Sequence, residues 1–192
     1  TERPTELQLP TRQESYDLLR EHTQNPNLIK HMLAVEACMK AYAEKLGGEP
    51  ELWGATGLLH DFDYEKHPTL EEHPMVGIGI LNELGYPEEM LHAIKGHAPY
   101  LGIPRKSKLD KVLFAVDELS GFIVAVTLMR PSKSLSDLKV SSVKKKMKQA
   151  GFARAVSRED IVTGAEELGV DLEEHIAFVI EAMRGISDDL GL

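Results

Sequence analysis

The periodicity of apolar residues constrains this chain more than any other feature of its sequence. From residue 28 to residue 46 the apolar positions follow at alternating steps of four and three: Leu28, Met32, Val35, Met39, Tyr42 and Leu46. Such steps place one apolar face along a helix, and no segment shows the sustained alternation of a half-buried strand. The same pattern predicts helices over 51–59, 70–84, 87–93, 109–129 and 137–150, with two more opening at Ser157 and Asp171. We therefore predict an all-α fold, a single bundle of about eight or nine helices.

A chain of 192 residues is of ordinary size for one domain. We expect a core over residues 27–130, an N-terminal segment and helix over 1–26 that packs on it, and helices over 131–192 that complete it. The single cysteine, Cys38, excludes an internal disulfide framework and a cysteine-rich zinc site, and it favours a reducing cytoplasm. The N-terminal residues lack the apolar core of a signal peptide. The longest uncharged apolar stretch has 11 residues, from Leu119 to Met129, so no membrane-spanning helix is expected.

The net charge of −9, from 31 acidic and 22 basic residues, argues against general nucleic-acid binding, which needs a basic surface. The charge is uneven, because residues 130–154 hold eight bases and one acid. This basic window either faces a small anionic substrate or forms a solvated helix face.

Histidine and aspartate residues on the predicted helices carry the chemical signal. His60 and Asp61 end an apolar helix, His31 lies on the apolar face of its helix, and Asp117 lies on the buried face of another. Each alone has an ordinary structural interpretation, such as a hydrogen-bonded core histidine or a buried ion pair. Together they form a set of nitrogen and oxygen ligands suited to a divalent metal.

The order His31, Gly57-Leu58-Leu59-His60-Asp61, Asp117 resembles the HD-domain superfamily of metal-dependent phosphohydrolases, and the match covers roughly residues 27–130. The resemblance implies an all-α bundle with those four residues around one divalent metal. The segments His73-Pro74-Met75-Val76-Gly77 and Ala93-Ile94-Lys95-Gly96-His97 are similar to those of the HDIG-like, two-metal members. They imply a second metal held by His73 and His97, with Asp61 as the bridge, and Fe, Mn, Zn or Mg as the ion.

The resemblance implies hydrolysis of a phosphate ester, of a nucleotide or small metabolite, by a metal-activated hydroxide. The stretch after the long helix implies that Arg130 and Lys133 hold substrate phosphate near the metals; the alternative is that they satisfy helix C-terminal carbonyls. The same six-ligand order also occurs in HD-type di-iron oxygenases. A non-catalytic, ligand-binding HD module is the other alternative. The oligomeric state stays open.

Several other residues carry weaker expectations. Gly85-Tyr86-Pro87 resembles an element of the cyclic-dinucleotide phosphodiesterases, but it precedes His97 instead of following it, so we interpret it as a turn between helices. His67 is expected to border the pocket, and residues 63–66 to shape it. Cys38 is expected to be a packed side chain. Three histidines match nothing in the family pattern and are expected on the surface: His22, His92 and His175.

Overall fold

The computed structural model describes residues 9–192, which form ten α-helices and no strand. The all-α prediction is confirmed. The helices are α1 (Arg12–His22), α2 (Pro26–Leu46), α3 (Pro50–Leu59), α4 (Met75–Glu83), α5 (Glu88–Gly96), α6 (Lys108–Met129), α7 (Val140–Met147), α8 (Arg158–Leu168), α9 (Leu172–Arg184) and α10 (Ser187–Leu190). Two 3-10 turns, Pro99–Leu101 and Leu135–Asp137, lie between helices. Residues 1–8 of the expected N-terminal segment lie outside the described residues.

Helix α6 is the central element of the bundle. It packs against α2, α5, α8 and α9, and its Val112, Leu113 and Val116 have no exposed surface. One continuous hydrophobic cluster runs from Leu19 on α1 to Leu190 on α10. Cys38 belongs to this cluster, as expected for a packed side chain.

By length and apolar composition alone, α6 would also be able to cross a membrane. In this fold 61% of its most apolar 18-residue window is buried against the other helices. A helix that packs on four neighbours needs apolar residues on more than one face, which accounts for its composition.

Turn residues set where several helices begin. Asn25 caps α2, which begins two residues before the apolar pattern that starts at Leu28: the Asn25 side chain accepts a hydrogen bond from the Asn27 N–H, and Pro26 takes the first helical position. Helix α4 begins at Met75, five residues later than predicted, because Pro74 has no N–H to continue a helix that started at Leu70. The Gly85-Tyr86-Pro87 segment is the turn between α4 and α5, with Gly85 at φ +84°.

The expectation of a surface position is wrong for His175, which is only 1% exposed. Its Nε2 donates to the Ala115 carbonyl (2.9 Å), and the Tyr42 hydroxyl donates to its Nδ1 (2.5 Å). Burial lowers the pKa of His175 below its ordinary value. Residue 175 lies three residues after Leu172 and four before Val179, on the buried face of α9. Its residue type alone had suggested the surface.

This burial predicts an acid-sensitive fold. Below a pH of about 6.5, the ordinary histidine value, the unfolded chain takes up a proton that the folded chain resists at His175. As the pH is lowered from 7.5 to 5.5, we expect the free energy of unfolding of the wild type to fall relative to that of the His175→Gln variant by up to about 1 kcal/mol. Urea unfolding in a chelating buffer measures this difference. A constant difference across the range would contradict the prediction.

Candidate metal centre

Five elements of the fold bring six side chains together. His31 lies on the second turn of α2, His60 and Asp61 directly follow α3, and His73 precedes α4, while His97 is the C-cap residue of α5 and Asp117 lies on α6. The ligand atoms of His31, His60, Asp61 and Asp117, here the first group, all lie within 4.8 Å of one another; so do those of Asp61, His73 and His97, here the second group.

Asp61 belongs to both groups and turns one carboxylate oxygen toward each. Its Oδ2 lies 3.2 Å from Nε2 of His60 in the first group. Its Oδ1 lies 3.1 Å from Nε2 of His73 and 2.9 Å from Nε2 of His97 in the second. A carboxylate that presents its two oxygens to two ligand groups has the geometry of a bridge between two cations.

Asp117 completes the first group from the opposite side. Its Oδ1 lies 2.9 Å from Nε2 of His31 and 3.0 Å from Nε2 of His60. The His60 side chain is fully buried, whereas those of His31, Asp61 and Asp117 are between 15% and 23% exposed. The first group is therefore closed on the core side and open toward solvent, where a substrate can approach.

The second nitrogen of three imidazoles is held by the protein. Nδ1 of His60 donates to the Gly57 carbonyl (2.7 Å), and Nδ1 of His97 donates to the Ile94 carbonyl. Nδ1 of His73 donates to Oδ1 of Asp63 (2.6 Å). Each of these bonds leaves Nε2 as the free nitrogen and directs it at the carboxylates, which is how metal-binding histidines are oriented.

Such an arrangement requires a cation between the imidazole nitrogens and the carboxylates that face them. A neutral imidazole whose Nδ1 carries the proton presents only a lone pair at Nε2, and that lone pair would face the lone pairs of Asp61 and Asp117. A proton or a metal ion relieves this conflict. Imidazole nitrogens and carboxylate oxygens in these numbers suit Fe, Mn or Zn, so the residues present fit a divalent metal.

The electrostatics of the metal-free protein agree with this requirement. Burial opposes protonation of His60, but the charges of Asp61 and Asp117 outweigh it and raise its pKa well above the ordinary value. Burial likewise opposes protonation of His73, and its hydrogen bonds with Asp61 and Asp63 raise its pKa to about 9. Burial disfavours the charged form of Asp117 too, yet the charge of His60 holds the pKa of that carboxyl below its usual range. A divalent ion would replace these protons.

Asp63 supports the second group, a role that the sequence did not reveal. It is 1% exposed, and besides the His73 ring it accepts the N–H of Gly77 at 2.9 Å. A Cβ at Gly77 would lie 3.0 Å from Cγ of Asp63 and 2.9 Å from the Phe62 ring, so glycine allows this close approach. An aspartate two residues after a predicted ligand was the available signal, but position alone did not distinguish it from its neighbours.

Among the other residues of the loop after Asp61, Glu65 and His67 make structural contacts and Tyr64 borders the site. Glu65 accepts the backbone N–H groups of Gln24 and Asn25, both at 2.8 Å, and so ties the loop to the turn before α2. Nδ1 of His67 pairs with Glu72 and lies in neither ligand group. Tyr64 packs edge-on against the His73 ring at 5.5 Å and is 44% exposed, so it borders the opening of the second group.

The structure does not bring Arg130 and Lys133 to the two groups. Arg130 comes 13 residues after Asp117, a helical distance of about 20 Å at 1.5 Å per residue. Its guanidinium donates instead to Oγ of Ser142 (3.1 Å) and to the carbonyl of Asp137 (3.2 Å). Lys133 lies in the turn beyond it. Arg130 is therefore bound to the segment after α6 and not to the two ligand groups.

Comparison with known proteins agrees with this site. Residues 28–121, which include all six side chains, match the family model described as the HD domain. No curated protein and no solved structure gave a significant match. HD domains typically bind divalent metals, and both ligand groups lie within the matched residues. The sequence, the helical fold and the family match together identify residues 28–121 as an HD domain of the HD-domain superfamily.

Proposed function

We propose that this protein is a metal-dependent phosphohydrolase that acts on a phosphate ester of a nucleotide or small metabolite. The observation that supports it best is the position of Asp61, whose two oxygens face two separate sets of imidazole nitrogens. Paired cations that share a ligand are a recurring arrangement for displacement at phosphorus. The family adds to this, since HD domains are largely metal-dependent hydrolases.

In this proposal the six ligand residues divide into two sets, one for each divalent ion. His31, His60 and Asp117 would hold one divalent ion, His73 and His97 a second, and Asp61 both. When bound, the ions would lower the pKa of a water to about 7 and neutralise the negative charge of the phosphate. The buried backbone carbonyls of Gly57 and Ile94 keep His60 and His97 oriented throughout. The partly exposed side of the first group leaves room for the ester.

A release assay tests the proposal. Protein loaded in turn with Mn, Zn, Mg or Fe is offered a panel of phosphomonoesters and phosphodiesters, and ester hydrolysis and oxygen uptake are measured in parallel. Hydrolysis is read as inorganic phosphate from a monoester and as the monoester product from a diester. We expect hydrolysis that stops on chelation and returns when the metal is restored. Oxygen uptake by the iron-loaded protein without ester hydrolysis would favour the di-iron oxygenase. Turnover of neither kind by fully loaded protein would favour a non-catalytic binding module.

The proposal includes a cytoplasmic location and a small anionic substrate as the partner. Cys38 is a buried free thiol whose pKa burial raises to about 12, which fits a reducing compartment. In the basic window, Lys144 pairs with Glu173 and Lys146 lies over the ring of Phe152. These contacts agree with a solvated helix face for α7.

A further inference from the structure

A cleft of about 480 Å³ opens beside His31 and follows α6 away from Asp117. Its volume is in the range of small-molecule sites. Most of the side chains that line it are apolar: Val124, Ala125, Leu128, Leu190 and Leu192. Because His31 belongs both to the cleft wall and to the first group, the cleft adjoins the candidate metal centre.

The polar side chains that line the cleft all come from α2. Asn27 and Lys30 lie on the first two turns of α2, next to His31, and both are exposed. Lys30 supplies the cleft's one formally charged side chain, a cation. An anionic group held at the first group would lie beside α2, while the part of the ligand farther along α6 would meet Val124, Ala125 and Leu128.

Gly121 keeps the cleft open between His31 and the apolar side chains farther along α6. It follows Asp117 by one helical turn and lines the cleft, and no atom lies within 4 Å of the position that a Cβ would take there. A larger side chain at residue 121 would therefore enter the cleft without meeting the rest of the protein. Since glycine weakens a helix interior by about 1 kcal/mol, such a substitution carries no expected cost to α6.

We propose that this cleft binds the apolar body of the substrate, so that the substrate is a phosphate ester of an aliphatic or aromatic alcohol. The inference rests on the proposed function and narrows it. The polar side chains of the cleft lie on α2 alone, and the five apolar ones offer no partners to the hydroxyl and amide groups of a sugar or a nucleobase. Burying such groups unpaired is costly. An apolar body, in contrast, gains free energy with each methylene that leaves water.

Binding of alkylphosphonates tests this without turnover, because their carbon–phosphorus bond is not an ester. Methyl-, butyl- and octylphosphonate are titrated calorimetrically into the protein as purified. We expect the affinity to rise roughly fourfold per added methylene, about 60-fold from methyl to butyl, until the cleft is filled. In Gly121→Leu the ratio of butyl to methyl affinity should fall to near one. Gly79→Leu, at an exposed glycine of α4 with the same open surroundings, is the matched control and should keep the wild-type ratio.

The outcomes separate this proposal from the proposed function. Affinity that is independent of chain length, or a length dependence that survives Gly121→Leu, overturns the cleft proposal even if the protein releases phosphate from other esters. A length dependence that Gly121→Leu removes supports the cleft as the binding site for an apolar anion even if no ester is hydrolysed. In that case the phosphohydrolase proposal alone fails.

Discussion

Replacing Asp61 with alanine is expected to abolish turnover and to disturb both metal sites at once. No other side chain belongs to both ligand groups in the described part of the chain. Loss of an outer-shell partner alone commonly costs roughly 10- to 100-fold in metal affinity or activity, so loss of a shared ligand should lower kcat by more than about 100-fold. Metal content and the rate of phosphate release are measured on the same preparation.

Two further variants make the Asp61 result specific. Asp61→Asn keeps the shape of the side chain but removes its charge, and it should also lose metal. Glu44→Gln removes an exposed carboxylate from α2, far along the helix from His31, and should leave both readouts unchanged. If the alanine variant retains full metal content and full rate, Asp61 is not a bridge and the proposed division of ligands is wrong.

Asp63→Asn is expected to weaken metal binding in the second group by roughly 10- to 100-fold and to spare the first group. The carboxylate accepts the Nδ1 proton of His73 and, on its other oxygen, the N–H of Gly77. An asparagine offers one oxygen to these two donors, so one donor is left without its partner. His73 would then lose the bond that directs Nε2 at Asp61.

Separate binding constants for the two equivalents distinguish this positioning role from a general loss of structure. Metal titration of Asp63→Asn should show one equivalent with wild-type affinity and one weakened. Glu72→Gln breaks the other histidine–carboxylate pair of the same loop, with His67, and should change neither constant. Equal weakening of both equivalents in Asp63→Asn would indicate misfolding of the loop and remove its assigned role.

The sequence predicted the helical class and most helices because apolar periodicity records which face of a helix is buried. It misplaced the starts of α2 and α4, because Asn25 and Pro74 decide these boundaries and the apolar pattern marks neither. The pattern begins two residues inside α2 and five residues before α4. It also placed His175 at the surface, because the residue type does not show that Tyr42 and Ala115 would satisfy both ring nitrogens in the core.

The six candidate ligands could be named from the order of histidines and aspartates, and the fold does bring them together. The order of residues along the chain does not give the distances between them in the fold. Arg130 is close to Asp117 in the chain, but the straight course of α6 carries it about 20 Å away. The role of Asp63 was not predictable from the sequence either, because it depends on where the His73 ring lies after a ten-residue loop.

The number of divalent ions per chain is the most direct test of a shared carboxylate between two ligand groups. Metal content is measured on protein purified without added metal and again after reconstitution, for the wild type and for a variant with His73→Ala and His97→Ala combined. The account predicts two equivalents for the wild type and one for the variant, held by His31, His60, Asp61 and Asp117. One equivalent in the reconstituted wild type, or none, would contradict it, as would a variant that still binds two.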